Sequence, residues 1–351
     1  PEVISAVEGH IHHLKSANDV RQINLEKGRN LDLVSDFDPA PAYLSHIATM
    51  VDLEALRATN YKVVIDPMHG AGAGYLNRLL GGGSTIVREI RGTVNPSFPD
   101  MHNPEPIEHN LGVLRQAVLD TKAIIGIGLD GDADRVGAID ATGNYLTTPQ
   151  VYALLVYYFL EVRQLRGPII KSLTLSNMIW RLGELYNVPV HETGVGFKYI
   201  APIMVATDAL IGGEESGGYA FKGHIPERDG ILSALYLIDL VVRKGKTLSE
   251  IMEEIYSLTG PHHYGRSDIA IDAAQRPDVE ARLKQLQPAQ LAGIPIISID
   301  TTDGIRYRMK NGEWSVIRFS GTEHLLRIYA EAPSPEQVQE LLAATRSLTG
   351  L

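Results

Sequence analysis

The clearest signal along the chain is a repeated order of apolar, β-branched runs, glycine-bearing loops and stretches of helical spacing. From Tyr61, YKVVID predicts a strand, HGAGAG a glycine loop and YLNRLLGGG a helix stopped by glycine. STIVREI predicts a second strand. PSFPDMHNPEP, with four prolines, reads as loop, and HNLGVLRQAVLDT returns to helical spacing before the apolar run AIIGIGL. That alternation predicts βαβ units around a mostly parallel sheet.

The same order follows a second time. VYALLVYYFLEVRQL, MIWRLGELYNV and FKYIAPIMVA read as helices, while GPIIKSL, VPVHET and DALIGG read as strands. In both units an apolar strand runs into an acidic loop, AIIGIGLDGDADR and then DALIGGEESGG, which hints at duplication. Thr247 to Glu250 reads as a capping box opening LSEIMEEIYSL, and Gly260-Pro261 breaks the chain there. Beyond it come the strand-like runs IAIDA, PIISID, GIRYRM, EWSVIRF and LLRIYAEA, a helix in PDVEARLKQL, and a last helix marked by Ser334, Pro335 and Gln337. The expected fold is two consecutive α/β domains with mixed, mostly parallel sheets, followed by a smaller α+β C-terminal domain.

Composition narrows the function classes. The 351 residues give an expectation of two or three domains at roughly 150 residues each. With 44% hydrophobic and 21% charged residues, collagen-like, low-complexity and wholly disordered readings fail. Val151 to Leu160, the longest apolar run, is half of the roughly 20 residues a bilayer helix needs, so no membrane partner is expected. The first residues carry no visible secretory signal, and zero cysteines exclude disulfides and thiolate chemistry, so a cytoplasmic location is expected. A net charge of −10 argues against a nucleic-acid partner, and an anionic substrate would need a local basic pocket.

Asp130, Asp132 and Asp134 alternate with small residues directly after a buried strand. Three such close carboxylates repel one another unless a hard cation lies between them; the alternative is a solvated acidic turn. An EF-hand is excluded, because its sixth position would be Arg135 and its twelfth Ala141. Arg135 itself suits pairing with those carboxylates or reaching a phosphate. Arg318-Phe-Ser-Gly-Thr-Glu-His, with Arg327 on the next strand, suits a phosphate group, or is merely a hairpin connection. Glu214, Glu215 and Ser216 follow an apolar strand where ligands bind at sheet edges, and suit sugar hydroxyls; a glycine turn with two solvated acids is the bland reading. Lys198 and the segment His224 to Gly230, which holds Arg228, add cationic candidates. Gly70, Gly72 and Gly74 miss the dinucleotide fingerprint by one place and read as a tight packing turn. His12-His13 and His262-His263 read as surface pairs.

Taken in order, DPMHGAG, GLDGDADR, GVGFK, GGEESGG and RFSGTEHLLRIYAE resemble the α-D-phosphohexomutase family, that of phosphoglucomutase and phosphomannomutase. The resemblance covers about residues 40 to 351 and matches the second to fourth domains of a four-domain family. It implies residues 1–38 as a remnant of the first, phosphoserine domain with its linker, 39–150 as a metal-binding domain, 151–262 as a sugar-binding domain and 263–351 as a phosphate-binding domain. It further implies that Asp130, Asp132 and Asp134 hold Mg2+, that Glu214 and Ser216 grip sugar hydroxyls, with Arg228 beside them, and that Arg318, Ser320, Gly321, Thr322 and Arg327 bind the non-reacting phosphate. Lys198 and Arg135 are then the catalytic candidates. The implied reaction moves phosphate between C1 and C6 of a hexose through a phosphoserine and a hexose 1,6-bisphosphate, which also serves as activator.

The departure from the family is the phosphoserine loop. No T-A-S-H-N-P-like run occurs, and His102-Asn103-Pro104 follows Met101. The chain as written is therefore expected to bind metal and sugar phosphate but to turn over little, an upstream segment having been removed ahead of Pro1. Two other readings compete: a sugar-phosphate-binding protein without the serine domain, and a metal-dependent sugar phosphatase. Glu-Glu-Ser in the sugar loop resembles the glucose and mannose enzymes more than the glucosamine ones, with glucose preferred. Oligomeric state is left open.

Overall fold

The computed structural model describes residues 2–11, 13–14, 19–321 and 324–351. They fall into two units, divided between His46 and Ile47. The first carries α1 (Glu2–Ile11), α2 (Leu25–Asn30) and the start of α3 (Ala40–Met50). Asn24 caps α2 by accepting from the Glu26 N–H at 2.9 Å, and Arg29 pairs with Asp36 at 3.0 Å on the surface.

The second unit opens with α4 (Leu53–Arg57), β1 (Lys62–Asp66), α5 (Tyr75–Leu80), β2 (Ile86–Glu89), α6 (Gly112–Thr121), β3 (Ile125–Leu129), β4 (Val136–Asp140) and β5 (Tyr145–Leu146). The sheet order is β2-β1-β3-β4-β5. β1 runs parallel to both β2 and β3, and β4 turns back antiparallel on β3. β3 and β4 are buried along their whole length, which is why they read as continuous apolar runs without alternation.

A second sheet repeats this plan. α7 (Thr148–Tyr157) leads through one π turn into β6 (Ile169–Ser172), α8 (Met178–Tyr186), β7 (Val190–Thr193), α9 (Phe197–Thr207), β8 (Ile211–Gly213) and β9 (Tyr219–Phe221). The order β7-β6-β8-β9 matches β2-β1-β3-β4: two parallel neighbours about a central strand, then an antiparallel return. The duplication hinted at by the acidic loops is thus a repeat of sheet topology. The run Val151 to Leu160 is buried throughout, as a core helix. Among the described residues, no helix is long and apolar enough to cross a membrane.

α10 (Gly230–Lys244) and α11 (Leu248–Thr259) follow. α10, buried from Gly230 to Val241, is not among the helices read from the sequence. It packs against β3, β4 and α7 and so binds the first sheet to the second. The capping box at Thr247 and Glu250 forms reciprocally. The C-terminal part holds β10 (His263–Ala270), α12 (Arg276–Gln285), β11 (Gln290–Leu291), β12 (Ile294–Asp300), β13 (Ile305–Met309), β14 (Trp314–Phe319), β15 (Leu325–Ala332) and α13 (Pro335–Thr349), with sheet order β10-β15-β14-β13-β12-β11. All its pairings are antiparallel, and α13 covers β10, β14 and β15. IAIDA is only the tail of β10. The last helix is capped as expected, Ser334 accepting from the Gln337 N–H at 3.3 Å.

Buried charges join the second sheet to the C-terminal sheet. Glu192 on β7 accepts from Lys171 at 2.8 Å, Arg306 at 2.6 Å and Arg308 at 3.1 Å. Burial pulls Lys171 below the usual lysine range. Glu192 is pushed up by burial but pulled down further by Lys171 and Arg306, and sits at about 2. Glu331 on β15 ties in the junction: its Oε1 accepts from the Asn177 N–H at 2.9 Å, from Trp314 Nε1 at 3.2 Å, and meets His262 Nδ1 at 3.0 Å. His262 is therefore part of the seam and not of a surface pair; His12 lies outside the described residues.

Two outcomes follow from this packing. Glu192→Gln is expected to cost about 3 kcal/mol at pH 7, since it leaves the fully buried Lys171 without its counter-charge, while Arg306 keeps Asp300. Because the folded carboxyl lies below its ordinary value near 4.5, its stabilisation is present above that pH and lost as pH falls toward 2; the gap between parent and variant in urea midpoints should close over that window. A Cβ on Gly230 would lie 2.7 Å from the carbonyl oxygens of Ala133 and Arg135. Gly230→Ala should therefore displace the aspartate loop and lower the melting temperature by several degrees, read by calorimetry.

Candidate active site

The two acidic loops hold equivalent places, each in the hairpin between the third and fourth strands of its order, β3–β4 and β8–β9. They also touch. An isolated antiparallel bridge joins Arg135 to Gly218, the Val136 N–H donates to Gly217 O at 3.0 Å, and the Gly230 N–H donates to Ala133 O at 3.0 Å. The Thr148 hydroxyl donates to the Glu215 carbonyl, so the start of α7 pins the second loop. The glycine loop after β1 supports the first from behind: the Ala71 N–H donates to Gly131 O at 2.9 Å, and a Cβ on Gly70 would lie 2.5 Å from that oxygen. This agrees with the packing-turn reading of those glycines.

Within the aspartate loop Asp130 is fully buried, while Asp132 is exposed. One ligand oxygen from each of Asp130, Asp132 and Asp134 lies within 4.8 Å of the others. Asp130 accepts from the Arg135 N–H at 2.9 Å and from Arg135 Nε at 2.6 Å; burial outweighs that guanidinium and pushes its carboxyl up to about 7. Asp134 pairs with Arg228 at 2.6 Å; its Oδ1 lies 3.6 Å from Arg135 Nε and is buried with no hydrogen-bond partner among the described residues, and burial raises it too. An all-oxygen donor set with an orphaned buried carboxylate oxygen fits a hard divalent cation. Arg135 also reaches Glu105 at 3.2 Å, and these neighbouring acids keep it firmly charged.

In the second loop Glu214 is buried, raised by that burial, and faces Arg228 at 3.7 Å. Arg228 therefore spans both acidic loops, a link that sequence order did not reveal. Ser216 Oγ is buried with no hydrogen-bond partner. Glu215 turns away from its neighbours to the C-terminal sheet, where it accepts from Tyr264 Oη at 2.6 Å and approaches Arg266 at 3.9 Å. Lys198 is exposed at the start of α9, its Nζ 5.0 Å from the Tyr199 ring centroid.

In the third loop Arg318 Nε donates to Asp303 at 3.0 Å. Arg327 approaches Asp268 at 3.9 Å, and Asp268 in turn takes a two-pronged contact from Arg266 at 2.8 and 2.6 Å. Ser320 is buried and its N–H donates to Leu325 O at 2.9 Å; Gly321 is exposed. Thr322 lies outside the described residues.

A cleft of about 730 Å3 gathers Arg135, Ser216, Arg318 and Arg327 from all three loops. Its size suits a small anionic ligand. Lys198, Glu214, Arg228, Ser320 and Gly321 are not among its lining residues, nor are the three aspartates. The cleft also includes Tyr264, Arg266 and Asp268, which the sequence reading passed over although their two-residue spacing on β10 places them on one face. A second cleft of about 790 Å3, beside the Gly260 junction, holds both tryptophans and none of the expected site residues.

Comparison with known proteins finds three consecutive matches along the chain. Residues 41–143 match domain II (alpha/beta/alpha) of the phosphoglucomutase/phosphomannomutase family, residues 148–258 match domain III (alpha/beta/alpha), and residues 272–348 match the C-terminal domain. A phosphoglucomutase/phosphomannomutase from Thermococcus kodakarensis is 31% identical over 300 residues, which are 86% of this chain and 63% of that protein. A Methanosarcina barkeri protein named as a probable phosphoglucosamine mutase is 34% identical over 284 residues, 81% of this chain and 61% of that protein. Among solved structures, a Thermus thermophilus protein assigned as a phosphomannomutase superposes with a TM-score of 0.77 at 35% identity, covering 90% of this chain and 67% of that one. The chain thus spans somewhat under two thirds of the curated relatives it matches. With three consecutive domain matches in order and that superposition, this chain belongs to the phosphoglucomutase/phosphomannomutase family.

Proposed function

We propose that the protein works as a phosphohexomutase that interconverts hexose 1-phosphate and hexose 6-phosphate, glucose preferred and mannose accepted, by way of a phosphoserine and a hexose 1,6-bisphosphate. No serine of this chain is assigned the carrier role. The observation that supports the reading is the single cleft lined by Arg135, Ser216, Arg318 and Arg327. Guanidinium groups from two different loops border one small cavity, which suits a substrate with a phosphate at each end.

On this reading residues 39–150 carry the metal, 151–262 the sugar loop and 263–351 the phosphate clamp. Asp130, Asp132 and Asp134 would hold Mg2+, which supplies charge neutralisation to the transferring phosphoryl group when bound. Arg135 adds a guanidinium beside that position, locked by Asp130 and Glu105. Arg318 and Arg327, with Ser320, Gly321 and Thr322, would hold the idle phosphate, and one such clamp serves both orientations of the intermediate. Glu214 and Ser216 would orient sugar hydroxyls. Ser216 has the chemistry for this, since its buried Oγ has no hydrogen-bond partner among the described residues. Arg228 would fix Glu214 relative to the metal loop, and Lys198 would move the proton at the reacting hydroxyl.

The glucose preference is supported by Glu-Glu-Ser at 214–216, while relatives named for glucosamine phosphate keep the sugar a matter for assay. In the protein joined to a phosphoserine-bearing segment, with glucose 1,6-bisphosphate as primer, kcat/KM is expected to fall in the order glucose, mannose, glucosamine phosphate; glucosamine phosphate as best substrate would overturn the preference. Removal of metal by chelation should abolish turnover and Mg2+ restore it, and Asp132→Asn should raise the Mg2+ concentration needed for half-activity by at least about tenfold. Phosphate release without isomerisation would instead indicate a phosphatase.

A further inference from the structure

Asp303 belongs to none of the motifs that carry the family resemblance, yet its two oxygens join two of them. It sits in the turn between β12 and β13, and its backbone place is tightly set: Gly304 has φ +88°, and a Cβ there would strike the carbonyl of Ile317. Oδ2 accepts the backbone N–H of Val195 at 2.8 Å, in the Gly194-Val-Gly loop ahead of α9. Oδ1 accepts Arg318 Nε at 3.0 Å. Val195 and Arg318 both line the 730 Å3 cleft.

The other contacts across this seam do different work. Glu192 with Arg306 and Arg308, and Glu331 with Asn177, tie the second sheet to the C-terminal sheet, and all except Glu192 line the second cleft. Glu215 with Tyr264 closes the seam on the substrate side but touches no arginine of the clamp directly. Asp303 alone among the described residues holds a sugar-side loop and a clamp guanidinium with one carboxylate. Arg318 is held at Nε, and its two terminal nitrogens have no hydrogen-bond partner among the described residues; theirs is the edge that matches two phosphate oxygens.

We propose that Asp303 is a positioning residue that couples the seating of the C-terminal sheet on the Val195 loop to the orientation of the Arg318 guanidinium. If the sheet swings away from that loop, Oδ2 and the Val195 N–H lose each other, and the carboxylate that aims Arg318 is freed. The inference rests on the clamp role proposed for Arg318. It also differs from a simple charge-balancing role, which makes the opposite forecast: a carboxylate that only neutralised Arg318 would, when removed, leave phosphate bound more tightly.

The test reads binding of inorganic phosphate by calorimetry, and energy transfer between dyes across the seam. The chain has no cysteine, so Val205→Cys on α9 and Lys284→Cys on α12, both exposed, label uniquely. Asp303→Asn has one acceptor for two donors and should weaken phosphate about tenfold while depleting the high-transfer population. Asp303→Glu keeps the charge but moves it, and should weaken phosphate as Asn does. In Arg318→Lys, which has no Nε edge to be held, adding Asp303→Asn should change phosphate affinity no further. Unchanged or tighter phosphate in Asp303→Asn, parent-like binding in Asp303→Glu, additive effects in the double variant, or an unaltered transfer population would each overturn the proposal. Neither readout needs turnover or a phosphoserine, so a failure here is distinguishable from a failure of the proposed function, which the isomerisation assays read.

Discussion

The structure depends on how a crowd of carboxylates is compensated at the ends of two sheets. Asp130, Asp134, Glu105 and Glu214 converge with only partial access to water, and such groups cannot all stay ionised without cationic partners. Arg135 and Arg228 meet that need inside the protein, and burial still holds Asp130, Asp134 and Glu214 above their ordinary values. The remaining deficit of positive charge is what a divalent cation and its oxygen-rich site would answer. Fold and chemistry meet here, because the arginines that balance the acids also lock one loop to the other.

That lock is possible because one topology is used twice. Each sheet sends its third strand outward into an acidic hairpin and returns antiparallel, so two loops of like charge emerge at matching places. α10 packs on the first sheet and on α7 of the second, and Gly230 at its start allows backbone contact with the aspartate loop. The C-terminal sheet completes the cleft through a run of alternating charge, Glu215, Arg266, Asp268 and Arg327. Acids therefore serve two purposes in this molecule: some are directed at a cation, others orient the arginines directed at an anion.

Much of this was legible in the residues. Asp130, Asp132 and Asp134 were visible because spacing along a single loop is a local property, and the structure places them within 4.8 Å of one another. The strand and helix order was visible because buried parallel strands and capped helices leave local marks, as at Thr247 and Ser334. α10 carries apolar residues at helical spacing and was overlooked rather than hidden. The Arg228–Asp134 pair and Asp303 were hidden: each joins residues about a hundred positions apart, and no local pattern records such a contact. The hydrogen bond from Tyr264 to Glu215 was hidden in the same way, since it joins two different sheets.

The central claim is that the aspartate loop, the Glu214 loop and the Arg318 loop form one site for a metal and a sugar phosphate. The most direct test is a crystal structure of the protein soaked with Mn2+ and glucose 6-phosphate, with the metal located by anomalous scattering. The anomalous peak is expected on Asp130, Asp132 and Asp134, the phosphate on Arg318 and Arg327, and the sugar ring beside Glu214 and Ser216. A metal elsewhere, or a phosphate bound away from both arginines with the cleft left open, would contradict it.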